Sequence, residues 1–282
     1  MPPDALRIVS AASVSLEAYA AAFTASFRGY YHPVSHDAGT LARRVRFEQY
    51  DLENSLLAYD EGGEVAGVAA LGVRGGRGWV AGLAVVPGRR GRGRGRELMS
   101  ALLARARAAG LRQLSLEVMA VNTAARRLYE RAGMRVTRDL LVLERAAGYA
   151  GGAGDDARRA RAPKEAPAAG LLAHYWRLHP EPPAWQRELA SLLAADLRGL
   201  YVGGARRPRA YALTGQARDG NTYVSDLAAA DAAGAEAMCA ALGRVPGALR
   251  VVNEPERGPF AAPLLRRGFA EVIRQHEMTM EL

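Results

Sequence analysis

The chain has 282 residues, 49% of them apolar, a formal net charge of +9 and a single cysteine. That length favours two domains, and the apolar content excludes a wholly disordered or fibrous chain. One cysteine, Cys239, excludes an internal disulfide and reads as a small buried hydrophobe; no apolar run approaches the roughly 18 residues of a spanning helix.

Of the 38 basic residues only Lys164 is a lysine. Arginine and alanine in excess with almost no lysine point to coding bias, which weakens any argument from basicity to nucleic acid. A local basic site is enough for an anionic small molecule. The start, Met1-Pro2-Pro3-Asp4, has no basic-then-apolar export pattern, so the expectation is a cytoplasmic protein with no membrane and no nucleic-acid partner.

In chain order, residues 6–9 read as a strand and 13–27 as a helix with Val14, Leu16, Tyr19, Ala22, Phe23 and Phe27 on one side. An aromatic loop follows, Gly29-Tyr30-Tyr31-His32-Pro33-Val34, and then a helix over 40–50. Residues 55–59 and 64–73 form an antiparallel pair turned at Asp60-Glu61-Gly62-Gly63. The fourth strand, 79–86, runs into the most informative stretch of the chain.

That stretch is Pro87-Gly88-Arg89-Arg90-Gly91-Arg92-Gly93-Arg94-Gly95-Arg96-Glu97-Leu98. A β-branched run gives way to alternating glycine and arginine, and then to a helix burying Leu98, Met99, Leu102, Leu103 and Ala106 and ending at Gly110. Glycine lets backbone amides close on an anion, and the following helix directs its positive end to the same place. The loop therefore reads as a diphosphate cradle, with Arg90, Arg92, Arg94 and Arg96 adding charge. A nucleotide-hydrolase loop would end in Gly-Lys-Ser/Thr, and Gly95-Arg96-Glu97 does not. The dinucleotide fingerprint G-x-G-x-x-G is not met either, since the spacing here is G-x-G-x-G. A solvated Arg/Gly turn or a disordered RNA-binding run is the other reading, and the flanking strand and helix argue against it.

The fifth strand, 114–119, sends Leu114, Leu116 and Val118 to one face and Ser115, Glu117 and Met119 to the other. Asn122 opens a helix with Ala125, Leu128, Tyr129 and Ala132 on one side, closed by Gly133. Residues 134–145 return as one bent strand or a hairpin, which leaves open whether this half has its own seventh strand.

At Val85-x-Pro87 and Arg90-Gly91-Arg92-Gly93-Arg94-Gly95 the sequence resembles the R/Q-x-x-G-x-G/A acyl-CoA loop of the GNAT superfamily of N-acyltransferases. Leu116-Glu117-Val118, Asn122, Ala125, Leu128-Tyr129-Glu130 and Gly133-Met134 are similar to its other signature, with Met134 in the usual Phe position. The resemblance covers residues 5–145 and implies an α/β (α+β mixed-sheet) GNAT fold, with acetyl-CoA as cosubstrate. On that basis Leu83, Val85, Arg90, Gly91, Arg92, Gly93, Arg94, Gly95, Arg96, Asn122 and Ala125 are expected to bind the cosubstrate. Tyr30, Tyr31 and His32 are expected on the acceptor side.

Composition shifts to Ala, Gly, Arg and Pro over 146–167, which reads as a linker between an active domain, 1–145, and a C-terminal one, 168–282. The C-terminal domain resembles a degenerate tandem copy of the first. Residues 185–197 read as a helix, 200–202, 210–214 and 222–227 as strands, and Asn253 to Phe269 echoes Asn122 to Met134. One glycine, Gly234, stands where the cradle would be, and aligning Gly268 with Gly133 puts Leu264 opposite Tyr129. This half is not expected to bind coenzyme A productively.

Acyl transfer from a thioester to an amine needs a neutral amine, a stabilised oxyanion and a proton for the leaving thiolate. The resemblance offers Tyr129 as the proton donor and Glu117 as the base, acting through water. It gives the Val85 N–H as the group polarising the carbonyl where the fourth and fifth strands splay. The expected activity is direct acetyl transfer to an α-amino or other small primary amine in a ternary complex, with no metal. The chain would be a monomer acting as an internal pseudo-dimer, or a homodimer. A non-catalytic acyl-CoA sensor and an arginine-rich interaction module are the alternatives.

Overall fold

The computed structural model describes residues 6–148, 162–216 and 220–282. Gly151, Gly152, Gly154, Asp155 and Asp156 of the expected linker lie outside the described residues. Local chemistry sets the element boundaries: β1 (Arg7–Ser10) leads to α1 (Leu16–Ser26), whose cap Ser15 accepts from the Ala18 amide at 3.2 Å. Asp37 caps α2 (Ala38–Glu48) in the same way, accepting from the Thr40 amide at 2.6 Å. Next come β2 (Leu56–Tyr59), β3 (Val65–Arg74), β4 (Arg77–Val85), α3 (Arg94–Ala108), β5 (Gln113–Met119), α4 (Thr123–Arg131) and β6 (Arg135–Arg145). Residues 134–145 are thus one strand after a single turn, not a hairpin.

The chain then gives β7 (Lys164–Pro167), α5 (Ala168–Leu172), α6 (Tyr175–Leu178), a 3-10 turn at Trp185–Arg187 and α7 (Leu189–Ala194). After these come β8 (Arg198–Gly204), β9 (Arg207–Gln216), β10 (Thr222–Ala229), α8 (Ala232–Leu242), β11 (Leu249–Pro255), α9 (Ala261–Arg266) and β12 (Ala270–Glu281). The long helix expected over 185–197 is not formed. Glu188 is extended at φ −70°, ψ 151°, which breaks the segment into a 3-10 turn and a short helix. The end of the expected linker, Lys164–Pro167, is a strand paired antiparallel with β8.

Two compact units emerge, and they do not run end to end along the chain. Unit 1 holds the residues up to Val118, then Asn122–Thr137 and Glu277–Leu282; unit 2 holds Met119–Val121 and Arg138–His276. In unit 1, β1 to β5 neighbour one another in sequence order, antiparallel except for the parallel pair β4 and β5. The strand beside β5 comes from the last residues of the chain. The Leu282 amide donates to the Arg112 carbonyl at 2.9 Å, and Met278 is fully buried with Leu98, Leu102, Leu114 and Leu116. Each such buried side chain contributes about 1.5–3 kcal/mol relative to exposure.

Unit 2 repeats the element order strand, strand, helix, strand, helix, strand, with β10 and β11 as its parallel pair. Its core joins Leu227, Met238, Cys239, Leu242, Leu249, Phe260 and Leu264. Cys239 is buried, in keeping with its place in an alanine-rich helix.

Both parallel pairs are brief. β4 and β5 keep register from Arg77↔Gln113 to Trp79↔Ser115 and then part; β10 and β11 keep it from Thr222↔Leu249 to Val224↔Val251 and then part. In unit 1 the divergence is accompanied by a bulge in the β3–β4 ladder between Ala70 and Leu71.

Candidate functional site

Where β4 leaves β5, unit 1 opens a cleft of about 950 Å³. It is lined by Leu83, Ala84 and Val85 of β4, by the turn into α3, by the loop after α1 and by α4 with its cap Asn122. Gly91 at φ 85° and Gly93 at φ 78° hold left-handed backbone, and a Cβ there would meet no heavy atom closer than 3.6 Å. Backbone conformation, not space, demands glycine at both positions. Gly93 caps α3 with no side-chain hydrogen bond, so no capping oxygen competes for its first-turn amides.

The lining includes Arg90, Arg94, Arg96, Arg127 and Arg131 and no carboxylate. Arg94 is buried, 7% exposed, so its charge sits close to the low-dielectric floor. Arg127 and Arg131, one turn apart on α4, were not singled out in the sequence; their i, i+4 spacing on the cleft side of the helix was the available signal. Arg90 lines the cleft and also bridges two elements. Its Nε donates to the Val85 carbonyl at 2.9 Å and its Nη2 to the Ser26 and Arg28 carbonyls at 3.4 Å, tying the end of β4 to the end of α1.

The Val85 carbonyl is engaged by Arg90, while the Val86 amide donates to Ala66 on β3 at 2.9 Å. Strand alternation therefore turns the Val85 N–H away from β3, toward the gap left by β5. Leu83, two residues earlier, has the same sense.

Of the expected residues, Tyr30, Tyr31, Leu83, Val85, Arg90, Gly91, Gly93, Arg94, Gly95, Arg96, Asn122 and Ala125 line the cleft. Arg92, His32, Glu117 and Tyr129 are not among its lining residues. Arg92 and His32 are exposed, and the His32 ring contacts its neighbour's carbonyl, Pro33 O, at 3.4 Å. Asn122 caps α4, accepting from the Ala125 amide at 3.2 Å, and also meets the Tyr30 side chain. Burial raises the Tyr30 hydroxyl above the usual phenol range, and the Asn122 bond partly offsets that.

Tyr129 is 6% exposed and packs in the core of unit 1 with Met134 and Met278. Burial, with the nearby Tyr30, pushes its phenol above the ordinary value, so it stays protonated at neutral pH. Glu117 lies on the strand face that alternation predicts, and its Oε2 accepts from Trp79 Nε1 at 2.7 Å. Among the described residues no group of three or more His, Cys, Asp or Glu is arranged to hold a metal, and no helix is long and apolar enough to cross a membrane.

Unit 2 differs at the matching helix start. There Asp231 caps α8, accepting from the Gly234 amide at 2.6 Å, and pairs with Arg209. The helix end that glycine leaves open in unit 1 is closed by a carboxylate in unit 2.

A strand, an uncapped glycine turn and a helix stand beside two parted parallel strands. Residues 18–134 match the Acetyltransferase (GNAT) family model. The GCN5-related N-acetyltransferase of Sphaerobacter thermophilus is similar at TM-score 0.69 and 17% identity, over 100% of this chain and 97% of that one. A tandem GNAT protein from the clavulanic acid biosynthesis pathway is similar at TM-score 0.68 and 16% identity, over 98% of each chain. At such identities the likeness shows the fold, and it extends over the whole chain. No curated protein matches the sequence. The GNAT family uses acetyl-CoA as cosubstrate, and a glycine turn with left-handed backbone, an uncapped helix start and an arginine-lined, carboxylate-free cleft fit its diphosphate.

Proposed function

We propose that this protein transfers an acetyl group from acetyl-CoA to a primary amine, at the cleft of its N-terminal unit, by direct transfer in a ternary complex. The observation carrying this is the divergence of β4 from β5 in a cleft that β4 shares with an uncapped, arginine-bearing helix start. Acetyl-CoA supplies the activated acetyl group. The amides of the glycine turn with Arg94 and Arg96 bind its diphosphate, and Arg127 and Arg131 of α4 add charge to the same cleft. The Val85 N–H donates to the carbonyl oxygen, Tyr129 gives its phenolic proton to the departing sulfur, and Glu117 accepts the amine proton through water.

The acceptor enters beside Tyr30 and Tyr31. An α-amino group with pKa about 8 is roughly 10% neutral at pH 7, against under about 0.1% for a lysine side chain, so α-amino and other weakly basic amines suit a site with one distant base. The active domain read from the sequence as 1–145 is completed by residues 277–282; the C-terminal domain is non-catalytic, and the chain acts in the cytoplasm as a monomer or homodimer.

A second reading, an acyl-CoA sensor without turnover, is favoured by one observation: neither Tyr129 nor Glu117 lines the cleft. Acetyl-CoA at about 100 times its dissociation constant should stabilise the fold by about 2.7 kcal/mol in both readings and in neither if the chain is an interaction module. Thiol release with a panel of amines, cut by about 10²-fold or more in Tyr129→Phe, distinguishes enzyme from sensor.

A further inference from the structure

Strands that part leave backbone groups on their facing edges without ladder partners, and buried groups of that kind must be satisfied by something else. In unit 2 one side chain does this on both edges. Arg187 Nη2 donates to the Leu227 carbonyl of β10 at 2.8 Å, and Nη1 donates to the Asn253 carbonyl of β11 at 3.1 Å. The same guanidinium meets a carboxylate from each strand: Nε to Asp226 Oδ1 at 3.1 Å and Nη1 to Glu254 Oε2 at 2.7 Å.

Backbone geometry is shaped to the same end. The ladder of β10 slips between Val224 and Asp226, that of β11 between Val251 and Glu254, and Asn253 takes a left-handed φ of 53°. Bulges of this kind re-aim side chains, and a non-glycine residue at positive φ persists only where its surroundings fix it. Arg187 is the last residue of its 3-10 turn, just before the extended residue Glu188. Arg187 is 4% exposed, and Asp226 and Glu254 are each 1% exposed. Tyr211 donates to Asp226 Oδ2 at 2.9 Å, His179 Nε2 lies 3.2 Å from Oδ1, and Tyr175 stacks on His179.

We propose that Arg187 is the resident occupant of a second, closed acyl site: its guanidinium fills, between the parted strands of unit 2, the gap that in unit 1 admits the thioester arm. The comparison with unit 1 rests on the acyl-CoA reading given above. A planar cation with donors on several edges spans both strands; a compact ammonium does not. Asp231 at the start of α8 closes the other end of the former site.

The test is chemical rescue. Arg187→Ala leaves two buried carboxylates facing a guanidinium-sized gap, so its unfolding midpoint should fall well below that of the wild type. Millimolar methylguanidinium should return part of the loss, while methylammonium and sodium chloride at equal ionic strength should not, and the wild type should not respond. A variant indifferent to methylguanidinium, or one raised equally by all three salts, overturns the proposal. Should Arg187→Ala fail to fold, Arg187→Lys serves: a compact ammonium cannot span both strands, so its unfolding midpoint should fall clearly below the wild type's, and a midpoint equal to the wild type's overturns the proposal. Acetyl-CoA binding to the same variants is a separate readout, so failure of the acyl-CoA reading shows as lost binding in the wild type, not as lost rescue.

Discussion

The Trp79 indole nitrogen donates to Glu117 Oε2 over 2.7 Å, joining the last paired residue of β4 to the strand face that β5 presents just after the two diverge. The bond holds a carboxylate in one orientation beside the gap. Glu117→Gln keeps shape and loses basicity, so kcat should fall by about 10²–10⁴-fold with little change in the KM for acetyl-CoA. Trp79→Phe should cost less and should alter the acid limb of the pH–rate profile. Steady-state kinetics with Glu117→Gln within about twofold of wild type would remove Glu117 from the mechanism.

Gly93 tests the cradle. Its φ of 78° costs a residue with a Cβ about 1–2 kcal/mol, although the space around it is open. Gly93→Val should therefore weaken acetyl-CoA binding about tenfold, measured by calorimetry. Gly88→Ala, with nothing within 4 Å and no positive φ, is the matched control and should bind as the wild type does.

Residues 277–282 complete unit 1 from the far end of the chain. Met278 is fully buried, and Met280 and Leu282 pack on the same core. Removing the segment strips a strand edge and a buried methionine, itself worth about 2–5 kcal/mol on truncation to alanine. The truncated protein should unfold at lower denaturant and lose acetyl-CoA binding. A fragment of residues 1–145 that folds cooperatively and binds the cosubstrate with wild-type affinity would contradict this.

His36 gives the N-terminal unit an acid sensitivity. Its ring stacks on Phe23 at 4.7 Å, and burial, with the nearby Arg44, holds its pKa below 6.5. The unfolded chain takes up that proton near the ordinary value while the folded one resists, so stability falls as pH drops below 6.5 toward the folded value. His36→Phe keeps the stack and removes the proton. Its unfolding midpoint should vary less than the wild type's between about pH 7.5 and 5; parallel curves would assign the sensitivity elsewhere.

Local chemistry is what the sequence by itself determined. Glycines at 91 and 93, the Asn122 cap, the alternation that puts Glu117 opposite Leu116, and the helix that buries Leu98 and Leu102 follow from φ preferences, capping and period, each readable within a few residues. Tertiary structure decided the long-range partners. Nothing local in residues 270–281 says whose edge the strand will satisfy, and its end lies in unit 1. Arg187 reads as one of many arginines until two parted strands surround it, and the burial of Tyr129 in a core shared with Met134 and Met278 is set by the folded unit. Backbone donors and buried charges take whichever partner the folded chain brings near, and that choice is made by packing across more than a hundred residues of sequence.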